Sequence, residues 1–245
     1  DVLTCMAQSV IIEKNDRIYL NWKGAGTVDT KAKTAYDYIS SRIETGEFPP
    51  GMMLVERQLC EQLGISRSPV RTALTRLANE GELVKYVPKA GMRVSELSRK
   101  DVRELYDLRS ILDGAAVARF TERATGQEIV AACRLFERMK SCLQAGDVEG
   151  LVNYDVLFHR YYTARCGNER LSEMFGHLFS PLRRFRWEIV QLGEEKMAQL
   201  MELHERLAGA IRMRDSAAAS RYETESNELM CRWHLEWLDA QEAAE

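Results

Sequence analysis

The chain is poor in proline over most of its length, has few histidines and no paired cysteines, and contains no long apolar run. Of five prolines, Pro49, Pro50, Pro69 and Pro88 lie within residues 1–100, and only Pro181 lies beyond. Proline interrupts helices, so a long stretch nearly free of it and apolar at helical spacing predicts a helical domain. No segment approaches the roughly 20 apolar residues of a membrane helix, and no basic region followed by an apolar one opens the chain. A cytoplasmic protein with no membrane partner is expected. The six cysteines, Cys5, Cys60, Cys133, Cys142, Cys166 and Cys231, are scattered without a C-x-x-C pair, which fits reduced thiols better than a disulfide framework. With 45% hydrophobic and 29% charged residues, wholesale disorder is excluded.

What is present is unevenly distributed. The formal charge is −3, from 34 basic and 37 acidic side chains, and taken whole it speaks against a nucleic-acid partner. Residues 1–100, however, hold 15 basic and 12 acidic groups, whereas residues 101–245 hold 19 and 25. A basic head precedes an acidic body. Three segments are expected: an N-terminal extension at 1–29, forming a hairpin about Asn15-Asp16 or an arm; a first domain at 30–97; and a helical domain at 98–245.

In the first domain Ala35, Tyr38, Ile39 and Ile43 keep helical spacing, and Gly46 with Pro49-Pro50-Gly51 ends that helix. Val55–Gln62 predicts a second short helix, stopped by Gly64. Ser68-Pro69 predicts the opening of a third, because serine caps and proline tolerates the first turn. Along it Val70, Ala73, Leu74 and Leu77 form an apolar stripe, while Arg71, Thr72, Thr75 and Arg76 share the opposite face. Between Glu61 and Glu80 there are three arginines and no acid. Leu83–Val87 and Met92–Val94 predict two strands joined at Pro88-Lys89-Ala90-Gly91. Helix, helix, tight turn, helix and basic hairpin in that order make a winged helix-turn-helix.

The motif G-x-x-L-x-E-R-x-L followed by L-G-I-S-R-S-P-V-R-x-A-L-x-R-L-x-x-E-G, within residues 33–95, resembles the DNA-binding head of GntR-family transcription regulators. Glu82 departs from it, standing where the family usually has an apolar residue. The resemblance implies that Arg57, Arg67, Arg71 and Gly91 approach double-stranded operator DNA, with Ser66, Thr72 and Lys89 beside them. Chemistry sorts these roles. Arg71 and Arg67 can engage guanine O6 and N7 bidentately, Arg57 and Lys89 suit phosphates, and Gly91 lets the wing backbone come close.

In the second domain, Ser98-Arg99-Lys100-Asp101 predicts a capping box opening a helix with Leu105, Leu108, Ile111, Leu112, Ala115 and Ala116 on one side. Further helices are expected at 127–145, 148–166, 169–191, 194–214 and 216–239. The fold class is thus mainly α, a winged helix-turn-helix followed by an antiparallel bundle of about six helices. Asp155 and His159 stand at i and i+4 on one helix face. His204 is one of only four histidines. A carboxylate with imidazoles suits one divalent ion, Zn, Ni, Mn or Fe, although such a pair alone is more often a surface pair.

The order L-Y-D-L-R-S-I-L-D-G-A-A-V-A, then Y-D-V-L-F-H and C-G-N-E-R-L, then L-H-E-R-L-A-G-A-I-R-M-R-D, over about 100–235, resembles the FCD ligand-binding domain that partners GntR heads. The resemblance implies metal ligands at Asp155, His159 and His204, with a fourth about 22 residues on, where Ser226 or Asn227 stands instead of histidine. His234 lies two helical turns past that place and substitutes poorly. It also implies a homodimer on a pseudo-palindromic operator, acting as a repressor and controlled by a small organic-acid or sugar-acid effector. Arg109 is the candidate carboxylate clamp. Three alternatives stand beside this reading: a metal-free cavity for an acyl chain, a constitutive DNA-binding protein whose bundle only dimerises, and a metal hydrolase. The last lacks a nucleophile or general-base motif and leaves the winged helix unexplained, so a non-enzyme is expected.

Overall fold

The computed structural model describes residues 30–79, 83–179 and 193–243. The extension expected at 1–29, Glu82 and the part of the expected 169–191 helix beyond Phe179 lie outside these residues.

The head runs α1 (Thr30–Glu44), β1 (Met53–Leu54), α2 (Glu56–Leu63), α3 (Arg67–Asn79), β2 (Val84–Val87) and β3 (Gly91–Val94). Ala32, Ala35, Ile39 and Ile43 of α1 are buried at three- and four-residue spacing, so one stripe meets the core. Gly64 ends α2 in the left-handed conformation at φ 65°, its N–H returning to Cys60 O. That conformation is cheap only for glycine and makes the tight turn into α3. The third helix begins at Arg67, earlier than the Ser68 cap expected from sequence. Pro69 still fits, because the first helical N–H groups have no partner inside the helix. The strands pair antiparallel in the order β1-β3-β2, with Met53 opposite Arg93 and Val87 opposite Gly91. The expected wing is present. Strand β1 was not expected, since two residues are too short to show alternation.

The bundle consists, among the described residues, of α4 (Arg99–Arg123), α5 (Gly126–Ala145), α6 (Val148–Ala164), α7 (Glu169–Phe179), α8 (Glu194–Met213) and α9 (Ser216–Glu242). The capping box expected at Ser98 is present. The Ser98 hydroxyl accepts from the Asp101 N–H, and the Asp101 carboxylate accepts from the Ser98 N–H at 2.9 Å. Thr125 and Glu128 repeat the arrangement at α5. Phe120, Phe136, Phe158, Tyr162 and Trp233 fill the core, each burial contributing about 1.5–3 kcal/mol.

Helix α4 corrects the expected stripe. Leu108 and Ile111 are 45% and 60% exposed, and Ala115 is exposed. Of the expected stripe Ala116 is buried and Leu105 and Leu112 are half-buried, and the buried face also carries Val102, Tyr106, Arg109, Asp113, Gly114, Val117 and Phe120. Polar residues on that face hid its periodicity, and the conspicuous apolar residues lie on the other side. At Gly114 a Cβ would come within 3.0 Å of Ser220 Oγ and 3.3 Å of Thr224 Oγ1 on α9, so glycine there permits the close approach of α4 and α9. No helix among the described residues is long and apolar enough to cross a membrane.

Candidate nucleic-acid interface and candidate metal centre

The head displays its cations on the surface. Ser66, Arg67, Arg71 and Thr72, all exposed, cluster at the start of α3, and Arg57 is exposed on α2. Arg57 approaches Glu61 only loosely, at 3.9 Å. Arg71 is held more firmly: its Nε and Nη2 donate to the two carboxylate oxygens of Glu56 at 3.0 and 2.9 Å. The hydrogen bonds from Arg71, helped by its charge and that of Arg67, hold the Glu56 carboxyl below its ordinary range against a smaller effect of burial. The face is acid-free along the chain but not in space, because α2 brings Glu56 onto it. Arg76 turns away and stacks over the Tyr36 ring of α1, 4.3 Å from its centroid. At the wing tip Lys89 is exposed with φ 66°, and Gly91 follows at φ 108°. A lysine in the left-handed region is uncommon, and such backbone concentrates at functional sites.

In the bundle the chemistry is internal. Asp155 and His159 project from α6 and His204 from α8, all three buried. His159 Nε2 lies 3.1 Å from His204 Nε2, and Asp155 Oδ1 lies 3.4 and 3.2 Å from those two nitrogens. The outer nitrogens are occupied. His204 Nδ1 is 2.9 Å from Leu200 O, which as a carbonyl can only accept, so Nδ1 carries the proton. His159 Nδ1 lies 2.7 Å from the Tyr162 hydroxyl and 3.3 Å from Glu223 Oε1. The Nε2 lone pair of His204 therefore converges with His159 Nε2 and Asp155 Oδ1, an arrangement a cation can satisfy. A triangle with these sides has a circumradius of about 1.9 Å, close to the roughly 2.0–2.2 Å of transition-metal bonds to such donors. The three residues fit one divalent ion, and the N₂O donor set suits Zn, Ni, Mn or Fe rather than the all-oxygen cations.

Around this triad lies a second group of buried charges. Arg109 and Asp113, both about 1% exposed in their side chains, pair at 2.9 Å one turn apart on α4. Asn227 Nδ2 donates to Asp113 Oδ2 at 3.4 Å and to Glu223 Oε1 at 3.3 Å, tying α9 to α4. Burial pushes the Asp113 carboxyl up, with Arg109 pulling the other way. Burial also works against a charge on Glu223, but His159, Arg109 and His204 outweigh it and hold that carboxyl down to about 2. The Tyr162 phenol, fully buried and next to Glu223 and Asp113, is pushed well above its ordinary value of 10 and stays neutral.

Arg109, Asp155, His159 and His204 line one small cavity with Ser226, Asn227, Leu200 and Met230. Arg109 thus sits deep in the protein beside the triad. Ser226 and Asn227, from the place where a fourth ligand was sought, reach the cavity wall. His234 does not; its ring packs edge-on against Tyr106 and Trp237.

The same two units emerge from comparison with known proteins. The model of the bacterial regulatory proteins of the gntR family matches residues 31–94, and that of the FCD domain matches residues 104–240. The chain belongs to the GntR family of FCD-domain transcription regulators. Such proteins bind DNA and are not enzymes. The Nta operon transcriptional regulator of Aminobacter aminovorans is 32% identical over 70% of this chain and 80% of its own length. The gluconate operon transcriptional repressor of Bacillus subtilis is 26% identical over 84% of the chain and 85% of its length. Among solved structures, E. coli McbR/YncC superposes with a TM-score of 0.71 at 23% identity, covering 86% of this chain and 98% of its own, a likeness of fold.

Within this GntR/FCD chain the sequence pointed to the triad and to Arg109. It did not point to Glu56, Asp113, Tyr162 or Glu223. Glu223 stands three residues before Ser226 on α9 and could have been sought as a carboxylate on the same helix face. Asp113 is one turn after Arg109, an acid–base spacing visible in the chain.

Proposed function

We propose that this GntR/FCD regulator is a cytoplasmic repressor whose head, residues 30–97, reads operator DNA through Arg67, Arg71 and Thr72. Ser66, Arg57, Lys89 and Gly91 position it on the backbone and groove. Residues 98–245 form the effector-binding and dimerisation unit. Asp155, His159 and His204 hold a divalent ion, and Arg109 receives the carboxylate of a small organic or sugar acid. The convergence of Asp155 Oδ1, His159 Nε2 and His204 Nε2 beside a buried guanidinium carries this reading. When bound, the ion supplies Lewis-acid positions for a carboxylate oxygen. Arg109 adds charge and direction, and Ser226 stands where a fourth imidazole would close the shell.

The lining favours an acid over an acyl chain, since only Leu200 and Met230 among its described residues are apolar. The gluconate repressor among the relatives supports the same class. Leu108, Ile111 and Ala115, exposed along one face of α4, supply an apolar seam for a second copy. Two heads on a two-fold axis then meet half-sites about one DNA turn apart. Effector and operator oppose each other by linkage, each lowering affinity for the other by the same factor.

The test is titration of a panel of 2-hydroxy acids and sugar acids into the Zn²⁺-loaded protein bound to its operator fragment. An acid that releases DNA from the wild-type protein but not from Asp155→Ala or Arg109→Ala is the expected result. Release that ignores both substitutions overturns the site assignment.

A further inference from the structure

Each imidazole of the triad must present Nε2 as a lone pair, which requires its proton on Nδ1. For His204 a backbone carbonyl, Leu200 O, makes that choice, and no side-chain substitution alters it. For His159 two side chains make it. Tyr162 follows one turn later on α6, its hydroxyl 2.7 Å from Nδ1. Glu223 reaches in from α9 with Oε1 at 3.3 Å. All of Glu223 and Tyr162 is buried, so water does not compete for the contact.

We propose that Glu223 and Tyr162 are the positioning residues of this metal centre, fixing the His159 ring with Nδ1 protonated and Nε2 aimed at the ion. The inference rests on the metal reading above. His159 Nδ1 faces two oxygens, the Tyr162 hydroxyl and Glu223 Oε1, and a ring N–H pointing at them is the arrangement that satisfies both. The Tyr162 hydroxyl can accept from Nδ1 while donating to Glu223, which completes a chain from imidazole to phenol to carboxylate. The carboxylate behind the ring also makes Nε2 a stronger donor, as outer-shell acids do for metal-bound histidines. Asp155 and Glu223 flank His159 on its two nitrogen sides, so the ring is held from both edges.

The test compares Zn²⁺ affinity, by competition with a chromogenic chelator, in the wild-type protein, Glu223→Gln and Tyr162→Phe. Nitrogen-15 spectra of the imidazoles in the Zn²⁺-loaded wild-type protein accompany it. The expected loss of affinity is about 10- to 100-fold for Glu223→Gln and smaller for Tyr162→Phe, which removes one hydroxyl and keeps the ring in the core. The spectrum should show His159 protonated at Nδ1 and metal-bound at Nε2. Metal on Nδ1, or affinity unchanged in both variants, overturns the positioning role and leaves the metal site intact. Failure of the wild-type protein to bind Zn²⁺ removes the metal reading and this inference with it. A variant that is merely less stable, with wild-type affinity, also counts against the proposal.

Discussion

The head and the bundle bury different kinds of residue. The head closes over Ile39, Ile43, Leu59, Val70, Leu74, Leu77, Val84 and Val94, and its one buried charged side chain among the described residues is Glu44, at the end of α1. The bundle buries Arg109, Asp113, Asp155, His159, His204, Glu223 and Asn227 among its aromatic residues. Each arrangement follows from where the ligand sits. A duplex is met from outside, so the head needs a rigid apolar interior to hold exposed arginines in register. On the reading proposed above a small acid is enclosed, and the bundle accordingly has its charges inside, neutralised there. Burying ions costs several kcal/mol each unless they are paired, and the bundle accepts that cost at one place.

The sharpest way to break this comparison is to damage each core and vary pH. Leu74→Ala in the head opens a cavity and should cost about 2–5 kcal/mol, equally at all moderate pH values. Arg109→Ala in the bundle should cost about 3–5 kcal/mol near neutrality, because it leaves the Asp113 carboxylate buried without its cation. The two differ in their response to acid. Burial already raises Asp113 from its ordinary 3.8, and loss of Arg109 raises it further. A carboxyl whose folded value lies above its unfolded one favours the native state only while protonated. The deficit of Arg109→Ala should therefore shrink as pH falls toward the carboxylate range and grow as it rises. Denaturant unfolding at pH 5 and pH 8 reads both variants; a pH-independent deficit in Arg109→Ala would show that the cluster carries no buried charge.

How far each unit could be foreseen follows the same division. In the head, apolar spacing, Gly64 and the wing turn prescribe structure locally, so the order and most elements were legible. What escaped was contact across elements, such as Glu56 on Arg71 and the two-residue β1. In the bundle the helices and the Ser98 cap were legible, but most of the inner face of α4 was not. Hydrophobic periodicity selects Leu108 and Ile111, while packing selects Arg109 and Asp113, whose burial makes sense only with Glu223 and Asn227 arriving from more than a hundred residues away. Asp155 and His159 were legible because they lie one turn apart, and His204 because histidine is scarce.

A smaller effect separates two kinds of contact within the head. Arg71→Ala should reduce discrimination between operator and scrambled DNA roughly 10- to 100-fold, since a bidentate base contact is lost. Lys89→Ala should weaken both sequences alike and lower the slope of log K against log salt by about 1. Fluorescence anisotropy between 50 and 200 mM salt separates the two. Discrimination retained in Arg71→Ala would move base reading to Arg67.

The smallest effect concerns the acid that sits on the reading face. Arg71 is exposed and Glu56 half-buried, and such a solvent-screened surface pair contributes little to folding stability. Its consequence should be visible in binding instead. DNA must share or displace the carboxylate to use Arg71 fully, and a negative charge close to phosphates opposes association. Glu56→Gln should raise affinity for all sequences a fewfold at low salt, an advantage that fades as salt screens it. The folded-state value of Glu56 lies below its ordinary 4.5, so its small contribution to head stability is present above that value and lost as pH falls through the lowered one. Glu56→Gln should abolish that acid-side loss. If Glu56→Gln instead weakens operator binding and spares scrambled DNA, the carboxylate is serving to aim Arg71, and the head would contain one polar contact arranged as deliberately as those of the bundle.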